Sequence, residues 1–220
     1  MNEGVPGLSV HFVKNILSEI NPEYLAAYPE YRTLLEKVAS HNNLNPENII
    51  LSNGSDAAIK YIFDAYVSPG DKILLTEPTF AMFPVYCKMF EARPIIVEYE
   101  ADLKFPKENF IQRFSSYIKI AVVINPNNPI GNALTRNELI SIINRAANEN
   151  ILIIVDEAYF YFYPESVIEE VISFKNLVVL RTFSKLFGLA SARMGYAAAS
   201  TEIIENLSKV KPTYDVNGIA

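Results

Sequence analysis

Short runs of apolar residues alternate along this chain with longer segments in which apolar positions recur at helical spacing. The short runs predict strands that are buried on both faces, and the longer segments predict the helices that cover them. Strands are predicted at residues 72–76, 94–98, 120–124, 151–155, 177–180 and 195–199. The alternation predicts an α/β fold, a three-layer sandwich in which helices flank a mostly parallel sheet.

Two helical segments have clear boundary signals. Residues 55–67 carry apolar side chains at helical spacing and stop before a Pro-Gly pair, which cannot continue a helix. Residues 135–150 open with Thr135 and Glu138, the pattern of a capping box. The segment 1–31 is rich in proline and lacks such a pattern, so it is predicted to be an irregular arm rather than a domain.

Polar residues follow three of the predicted strands directly. Asp156 and Glu157 come after the strand 151–155, where a buried carboxylate needs a partner. The turn 125–131, dense in asparagine, proline and glycine, follows the strand 120–124. Ligands bind outside the carboxyl ends of the strands in open α/β sheets, so these loops are predicted to meet at one crevice.

The third loop carries the most specific chemistry. Lys185 follows the strand 177–180, with Thr182 and Ser184 just before it and Arg193 eight positions after it. A lysine held in a dry, cation-rich pocket can form a Schiff base with an aldehyde cofactor, of which pyridoxal phosphate is the example. Taken alone, the same lysine could be an ordinary solvated residue of a surface loop.

Composition limits the class of protein. The 220 residues are 50% hydrophobic and 20% charged, which is enough for a packed core, and one large domain over 32–220 is expected. A net charge of −6 without a basic block argues against nucleic acid or anionic membrane as partners. The single cysteine, Cys87, allows no disulfide within the chain and, with two histidines, leaves little for a metal site. A cytoplasmic enzyme is expected, because neither a membrane-spanning stretch nor a signal peptide is evident.

Several short motifs occur in an order that resembles one family. The chain is similar to fold-type I pyridoxal-phosphate enzymes of the class I and II aminotransferases, and within them to histidinol-phosphate aminotransferases. The matching segments are Tyr28-Pro29, 52–56, 77–80, 125–131, 156–159, 181–188 and 193–196. The resemblance spans nearly the whole chain and implies the large cofactor domain of that fold.

The resemblance implies a cup for the cofactor phosphate. Free backbone N–H groups at a helix start favour an anion, although the same residues could form an ordinary serine cap. Tyr28 would reach the phosphate from the neighbouring subunit, which implies a homodimer; packing before a turn proline is the alternative reading. The residues implied in the cup are Gly54, Ser55, Asp56, Ser184 and Arg193.

The remaining matches concern the cofactor ring. Asp156 would face the pyridine nitrogen and keep it protonated, where the alternative is a capping role. Tyr159 and Asn128 would bind the phenolic oxygen, and Phe80, otherwise a core residue, would stack on the ring. Lys185 would hold the aldehyde and then move protons as general base and acid. Lys185, Asp156 and Tyr159 are therefore the predicted catalytic residues.

The implied reaction is transfer of an amino group between an amino phosphate, such as histidinol phosphate, and a 2-oxo acid such as 2-oxoglutarate. An amino-phosphate decarboxylase acting on phosphothreonine or phosphoserine is the enzymatic alternative, and a cofactor-binding chain without catalysis is the alternative of another class. Asn2-Glu3 resembles the family's N-terminal arm motif. The C-terminal small domain, with the arginine that grips the substrate carboxylate, is expected to be absent, so residues 1–220 alone are expected to be inactive.

Overall fold

The computed structural model describes residues 8–218, except for the side chains of Tyr24 and Leu25. The Asn2-Glu3 motif lies outside the described residues. Within this range, seven strands form one sheet in the order β1-β7-β6-β5-β4-β2-β3. The strands are β1 Ile49–Asn53, β2 Lys72–Glu77, β3 Arg93–Glu98, β4 Ile118–Ile124, β5 Leu152–Asp156, β6 Leu177–Thr182 and β7 Met194–Ala199.

The sheet is mostly parallel, as the sequence predicted. Strands β3, β2, β4, β5 and β6 run parallel to one another, whereas β7 runs antiparallel to both β6 and β1. All six predicted strands are present, with ends shifted by at most two residues. Strand β1 was missed because its apolar run is only Ile49, Ile50 and Leu51 before polar residues follow.

The described helices fill the intervals between strands. Both predicted helices are present: α4 is shifted by one residue from the predicted 55–67, and α7 ends three residues before the predicted 150. Helix α7 begins at the predicted capping box formed by Thr135 and Glu138. None of the helices in the described range is long and apolar enough to cross a membrane. The helices are α1 Val10–Ser18, α2 Pro22–Ala26, α3 Arg32–His41, α4 Gly54–Tyr66, α5 Met82–Met89, α6 Lys107–Gln112, α7 Arg136–Ala147 and α8 Thr201–Val210.

The prediction of an irregular N-terminal segment is wrong, because α1 and α2 form there. Each helix has a side-chain cap that satisfies an otherwise unpaired N–H group at its start. Ser9 accepts a hydrogen bond from the backbone N–H of Phe12 at 3.1 Å, and Asn21 accepts one from that of Glu23 at 3.0 Å. Pro22 at the start of α2 is also compatible with a helix, since the first turn needs no N–H donor there.

Helices cover both faces of the sheet and give two hydrophobic layers. One layer contains buried residues of α3, α6 and α7, and the other contains buried residues of α4, α5 and α8. Successive strand residues alternate between the layers: Val155 and Val179 belong to the α7 layer, and Ile154 and Leu180 to the α4 layer. This alternation decides which polar residues at the strand ends face each layer.

Candidate active site

A crevice of about 170 Å³ lies at the carboxyl ends of β4, β5 and β6, on the α4 side of the sheet. It brings together the predicted site residues from five separate parts of the sequence, apart from Gly54 and Tyr28. Its lining also contains Ile124, Ala158, Thr182 and Ala190, for which no role was predicted. The lining consists of Ser55, Asp56, Phe80, Ile124, Asn128, Asp156, Ala158, Tyr159, Thr182, Ser184, Lys185, Ala190 and Arg193.

One end of the crevice is built for an anion. Helix α4 starts there, and its first N–H groups have no acceptor within the helix. Gly54 has a φ of +72°, and a Cβ at this position would lie 2.5 Å from Nη2 of Arg193. Nη1 of Arg193 donates to the Ala190 carbonyl at 3.1 Å, and Nη2 forms a long ion pair of 3.7 Å with Asp56. Both side chains of the ion pair are more than 40% exposed, so the pair is weak. The guanidinium can therefore bind a further anion.

Two buried hydroxyls lie next to this end. The Oγ atoms of Thr182 and Ser184 are 3.0 Å apart, and the backbone N–H of Ser184 donates to Oγ1 of Thr182 at 3.2 Å. Thr182 is the last residue of β6 and faces the α4 layer because Leu180 does. This turn fixes Ser184 in the crevice and directs the chain into Lys185.

Lys185 and Tyr159 both line the crevice and lie close to each other. The Lys185 ammonium is 5.4 Å from the centre of the Tyr159 ring, and the lysine is half-buried. The Tyr159 hydroxyl is buried and has no hydrogen-bond partner among the residues that the structure describes. Buried polar groups almost always have a partner. An acceptor or donor atom of a bound molecule would satisfy this hydroxyl.

Asp156 is a buried carboxylate that faces the crevice. It accepts a hydrogen bond from the backbone N–H of Ala158 at 3.0 Å, and no lysine or arginine of residues 8–218 lies within ion-pair distance of it. Burial raises the pKa of Asp156 from 3.8 to about 7, against the opposing effects of Ala158 and Lys185. A cationic group bound next to Asp156 would favour its ionised form.

Asn128 and Phe80 complete the walls. The turn that carries Asn128 is held by Asn125, whose side chain donates to the Leu134 carbonyl at 3.1 Å and accepts from the Leu134 N–H at 2.7 Å. Phe80 packs edge-on against Phe83, with ring centres 6.4 Å apart, and its ring lines the crevice. Phe80 is therefore an aromatic residue at the wall of the crevice, where a planar ligand could contact it.

Tyr28 lies outside this crevice. Its side chain is 76% exposed, and its ring stacks on that of Tyr214 with centres 4.1 Å apart. The predicted contact of Tyr28 with the cofactor of a second subunit stays a prediction.

A charged cluster that the sequence did not identify lies behind the site. Arg181 donates to Glu157 at 2.9 Å, to the Asn42 side chain at 2.8 Å and to the Ser166 hydroxyl at 2.8 Å. Its guanidinium carbon lies 3.7 Å from the centre of the Phe160 ring. The sequence feature that indicated this cluster was the pair Asp156 and Glu157, because a buried carboxylate needs a cationic or hydrogen-bonding partner. Glu157 has that partner, whereas Asp156 faces the crevice.

Comparisons with known proteins agree with this geometry. The model of the family described as aminotransferase class I and II matches residues 17–218. A histidinol-phosphate aminotransferase of Thermoanaerobacter sp. (strain X514) is 36% identical over 222 residues, which cover 100% of this chain and 62% of that protein. The chain therefore spans somewhat less than two thirds of the length of this relative.

Solved structures show the same fold. The histidinol-phosphate aminotransferase of Sinorhizobium meliloti, in complex with pyridoxal-5'-phosphate, superimposes with a TM-score of 0.90 at 24% identity, covering 99% of this chain and 60% of that one. The L-threonine-O-3-phosphate decarboxylase of Porphyromonas gingivalis superimposes with a TM-score of 0.84 at 26% identity, covering 100% of this chain and 68% of that one. Class I and II aminotransferases use pyridoxal phosphate. Since the family model covers most of the chain, this chain belongs to the class I and II aminotransferases.

Proposed function

We propose that this protein is a pyridoxal-phosphate-dependent aminotransferase in which residues 32–220 form the cofactor domain and residues 1–31 an arm. The observation that carries the proposal is the meeting of Lys185 with the buried, unpaired carboxylate of Asp156 in one crevice. A lysine amine and an isolated carboxylate are the two groups that the aldehyde and the ring nitrogen of this cofactor require.

The cofactor supplies an aldehyde that condenses with an amine and a ring that accepts electrons. Lys185 provides the amine and afterwards holds or releases the proton at its Nζ. Asp156 would lie next to the ring nitrogen and favour a proton there, and the protonated ring would give the buried carboxylate a cationic partner. The carboxylate and the ring nitrogen would thus stabilise each other's charged forms. The lack of an ion-pair partner for Asp156 within residues 8–218 supports this assignment.

The other lining residues orient the cofactor. The Tyr159 hydroxyl, which has no partner within residues 8–218, would donate to the phenolic oxygen together with Asn128. Phe80 would lie against the ring face. The phosphate would bind at the start of α4, where Gly54, Ser55 and Asp56 meet Ser184 and Arg193.

The proposed substrates are histidinol phosphate as amino donor and 2-oxoglutarate as acceptor. Support comes from the 36% identity to the Thermoanaerobacter histidinol-phosphate aminotransferase. Decarboxylation of an amino phosphate is a second candidate, because the structure also resembles the Porphyromonas threonine-phosphate decarboxylase at 26% identity. A role limited to carrying the cofactor is the third.

One assay separates the three. The protein is incubated with histidinol phosphate and 2-oxoglutarate while glutamate is measured, and with phosphothreonine or phosphoserine while carbon dioxide is measured. Glutamate formation that is lost in Lys185→Arg supports transamination. Carbon dioxide without glutamate would favour decarboxylation, and neither product from a protein that holds the cofactor would leave only binding. Lys104→Arg, a change on an exposed loop, is the matched control.

We also propose that the protein works as a homodimer in the cytoplasm. Helix α1 has no buried residue, and apolar side chains are exposed along it, so this helix has a surface that a second copy could cover. Tyr28 is exposed close by in sequence, where it could reach the other subunit. The free thiol of Cys87 suits a reducing compartment. The exposed apolar residues are Leu8, Val10, Phe12, Val13, Ile16 and Leu17.

A further inference from the structure

Gly195 is the second residue of β7, between β1 and β6. It pairs with Ser52 on one side and with Thr182 on the other. Its neighbours Met194 and Tyr196 belong to the α7 layer, so position 195 faces the α4 layer. The start of α4 lies directly against this position.

A side chain at position 195 would collide with the backbone of α4. A Cβ would lie 2.5 Å from the nitrogen of Ser55, 2.7 Å from the carbonyl carbon of Gly54 and 2.9 Å from the carbonyl oxygen of Arg181. All three are main-chain atoms, which cannot move away by a change of rotamer. The first turn of α4 would have to shift away from the sheet. Gly195 itself has no positive φ, so close approach is the reason for glycine here.

The residue directly before this strand is the cation of the anion-binding end. Arg193 lies just before β7, and its guanidinium reaches across to Gly54. The distance between this guanidinium and the Ser55 N–H is therefore set by how closely β7 approaches α4. The Ser55 N–H and the Arg193 guanidinium can bind one phosphate together only at the right separation, because the strength of a hydrogen bond depends steeply on its geometry.

We propose that Gly195 is a positioning residue that makes this crevice select the phosphorylated form of its cofactor over the unphosphorylated form. The proposal rests on the function proposed above, that pyridoxal phosphate binds here with its phosphate at the start of α4. The absence of a side chain at 195 lets Ser55 N–H and Arg193 act on one phosphate. Contacts to the ring, made by Asp156 and Phe80, do not depend on position 195.

The test compares pyridoxal phosphate with pyridoxal. Cofactor-free protein is titrated with each compound, and the absorbance of the lysine adduct gives the two affinities. Gly195→Ala is expected to weaken the binding of pyridoxal phosphate by about tenfold or more, which is the effect of losing one charge-assisted hydrogen bond. The affinity for pyridoxal should change little. Retention of the wild-type preference by Gly195→Ala would overturn the proposal. Equal loss for both compounds would also overturn it, because it would indicate general damage.

Controls separate this proposal from the proposed function. If the wild-type protein binds pyridoxal as tightly as pyridoxal phosphate, the phosphate assignment itself fails. Gly70→Ala is the matched glycine control: Gly70 has a φ of +88° and nothing within 4 Å of an added Cβ, so it should lose stability but keep the preference.

If Gly195→Ala does not fold, Ser55→Pro removes the same N–H in the first helical turn, and Ser55→Ala removes only the hydroxyl. Ser55→Pro is then expected to lose more affinity for pyridoxal phosphate, relative to pyridoxal, than Ser55→Ala does. Equal behaviour of these two variants would contradict the proposal.

Discussion

The Arg181 guanidinium donates to the Glu157 carboxylate at 2.9 Å, and both side chains are almost fully buried. They lie on the α7 side of the sheet, while their sequence neighbours Asp156 and Thr182 line the crevice on the α4 side. The pair joins the ends of β5 and β6, the two strands that carry Asp156 and the lysine loop. We infer that it holds these two strand ends in place.

Breaking this pair should destabilise the protein strongly. Glu157→Gln leaves the Arg181 charge buried without a counterion, so the free energy of unfolding should fall by about 3–5 kcal/mol in urea titration. Glu36→Gln breaks the exposed pair with Arg32 and serves as the control, with a change within experimental error. Equal effects of the two variants would show that the buried pair has no special structural role.

Asp156 should make the stability of the cofactor-free protein depend on pH. The folded-state pKa is raised from 3.8 to about 7, so between these values the folded protein retains a proton that the unfolded chain releases. Stability contributed by the protonated form is present below pH 4 and is lost as the pH rises through 7. Asp156→Asn should therefore raise the melting temperature at pH 8 and have little effect at pH 4.

Asp102→Asn is the control for this pH effect. Asp102 is exposed, and its pKa is lowered by hydrogen bonding to Lys104, so its contribution is lost as the pH falls, opposite in sign to that of Asp156. A stabilisation by Asp156→Asn that is the same at pH 4 and pH 8 would contradict the raised pKa. In the loaded enzyme, Asp156→Asn should depress turnover far more than cofactor affinity.

Helix α1 should carry the dimer contact. Replacing Phe12 and Ile16 by Asp puts charges on its exposed apolar surface, and sedimentation should then show a monomer where the wild-type protein is a dimer. Lys14→Asp changes an exposed polar position of the same helix and should leave the dimer intact. A dimer that tolerates the double substitution would place the interface elsewhere.

Tyr28 should contribute to cofactor binding only in the dimer. Tyr28→Phe removes the hydroxyl but keeps the ring that stacks on Tyr214, so the dimer should persist while the affinity for pyridoxal phosphate falls several-fold, the value of one hydrogen bond. The affinity is measured in the wild-type and Phe12/Ile16 backgrounds. An equal effect in dimer and monomer would assign the contact to the same chain.

The sequence predicted the strands and the crevice well because buried strands that end in polar loops leave a local pattern. Lys185 and Asp156 were placed correctly in the crevice for that reason. The missed features depend on contacts between distant residues. Glu157 meets Arg181 only because β5 lies beside β6, and Gly195 meets Ser55 only because β7 lies between β1 and β6. No short segment of the sequence predicts the order of the strands in the sheet.

The N-terminal helices were missed for a different reason. Proline suggested an irregular segment, but Pro22 stands at the first position of α2, where it favours a helix. The caps formed by Ser9 and Asn21 are single residues whose side chains are equally common in turns. Their effect became clear only from the hydrogen bonds that they accept.

The most direct test of the central claim is to identify the lysine that bonds to the cofactor. The protein is loaded with pyridoxal phosphate, reduced with borohydride and digested, and the modified peptide is sequenced by mass spectrometry. We predict a single pyridoxyl adduct on Lys185, absent from Lys185→Arg and unchanged in Lys104→Arg. An adduct on another lysine, or none in a protein that retains its fold, would contradict the assignment of this crevice as the cofactor site.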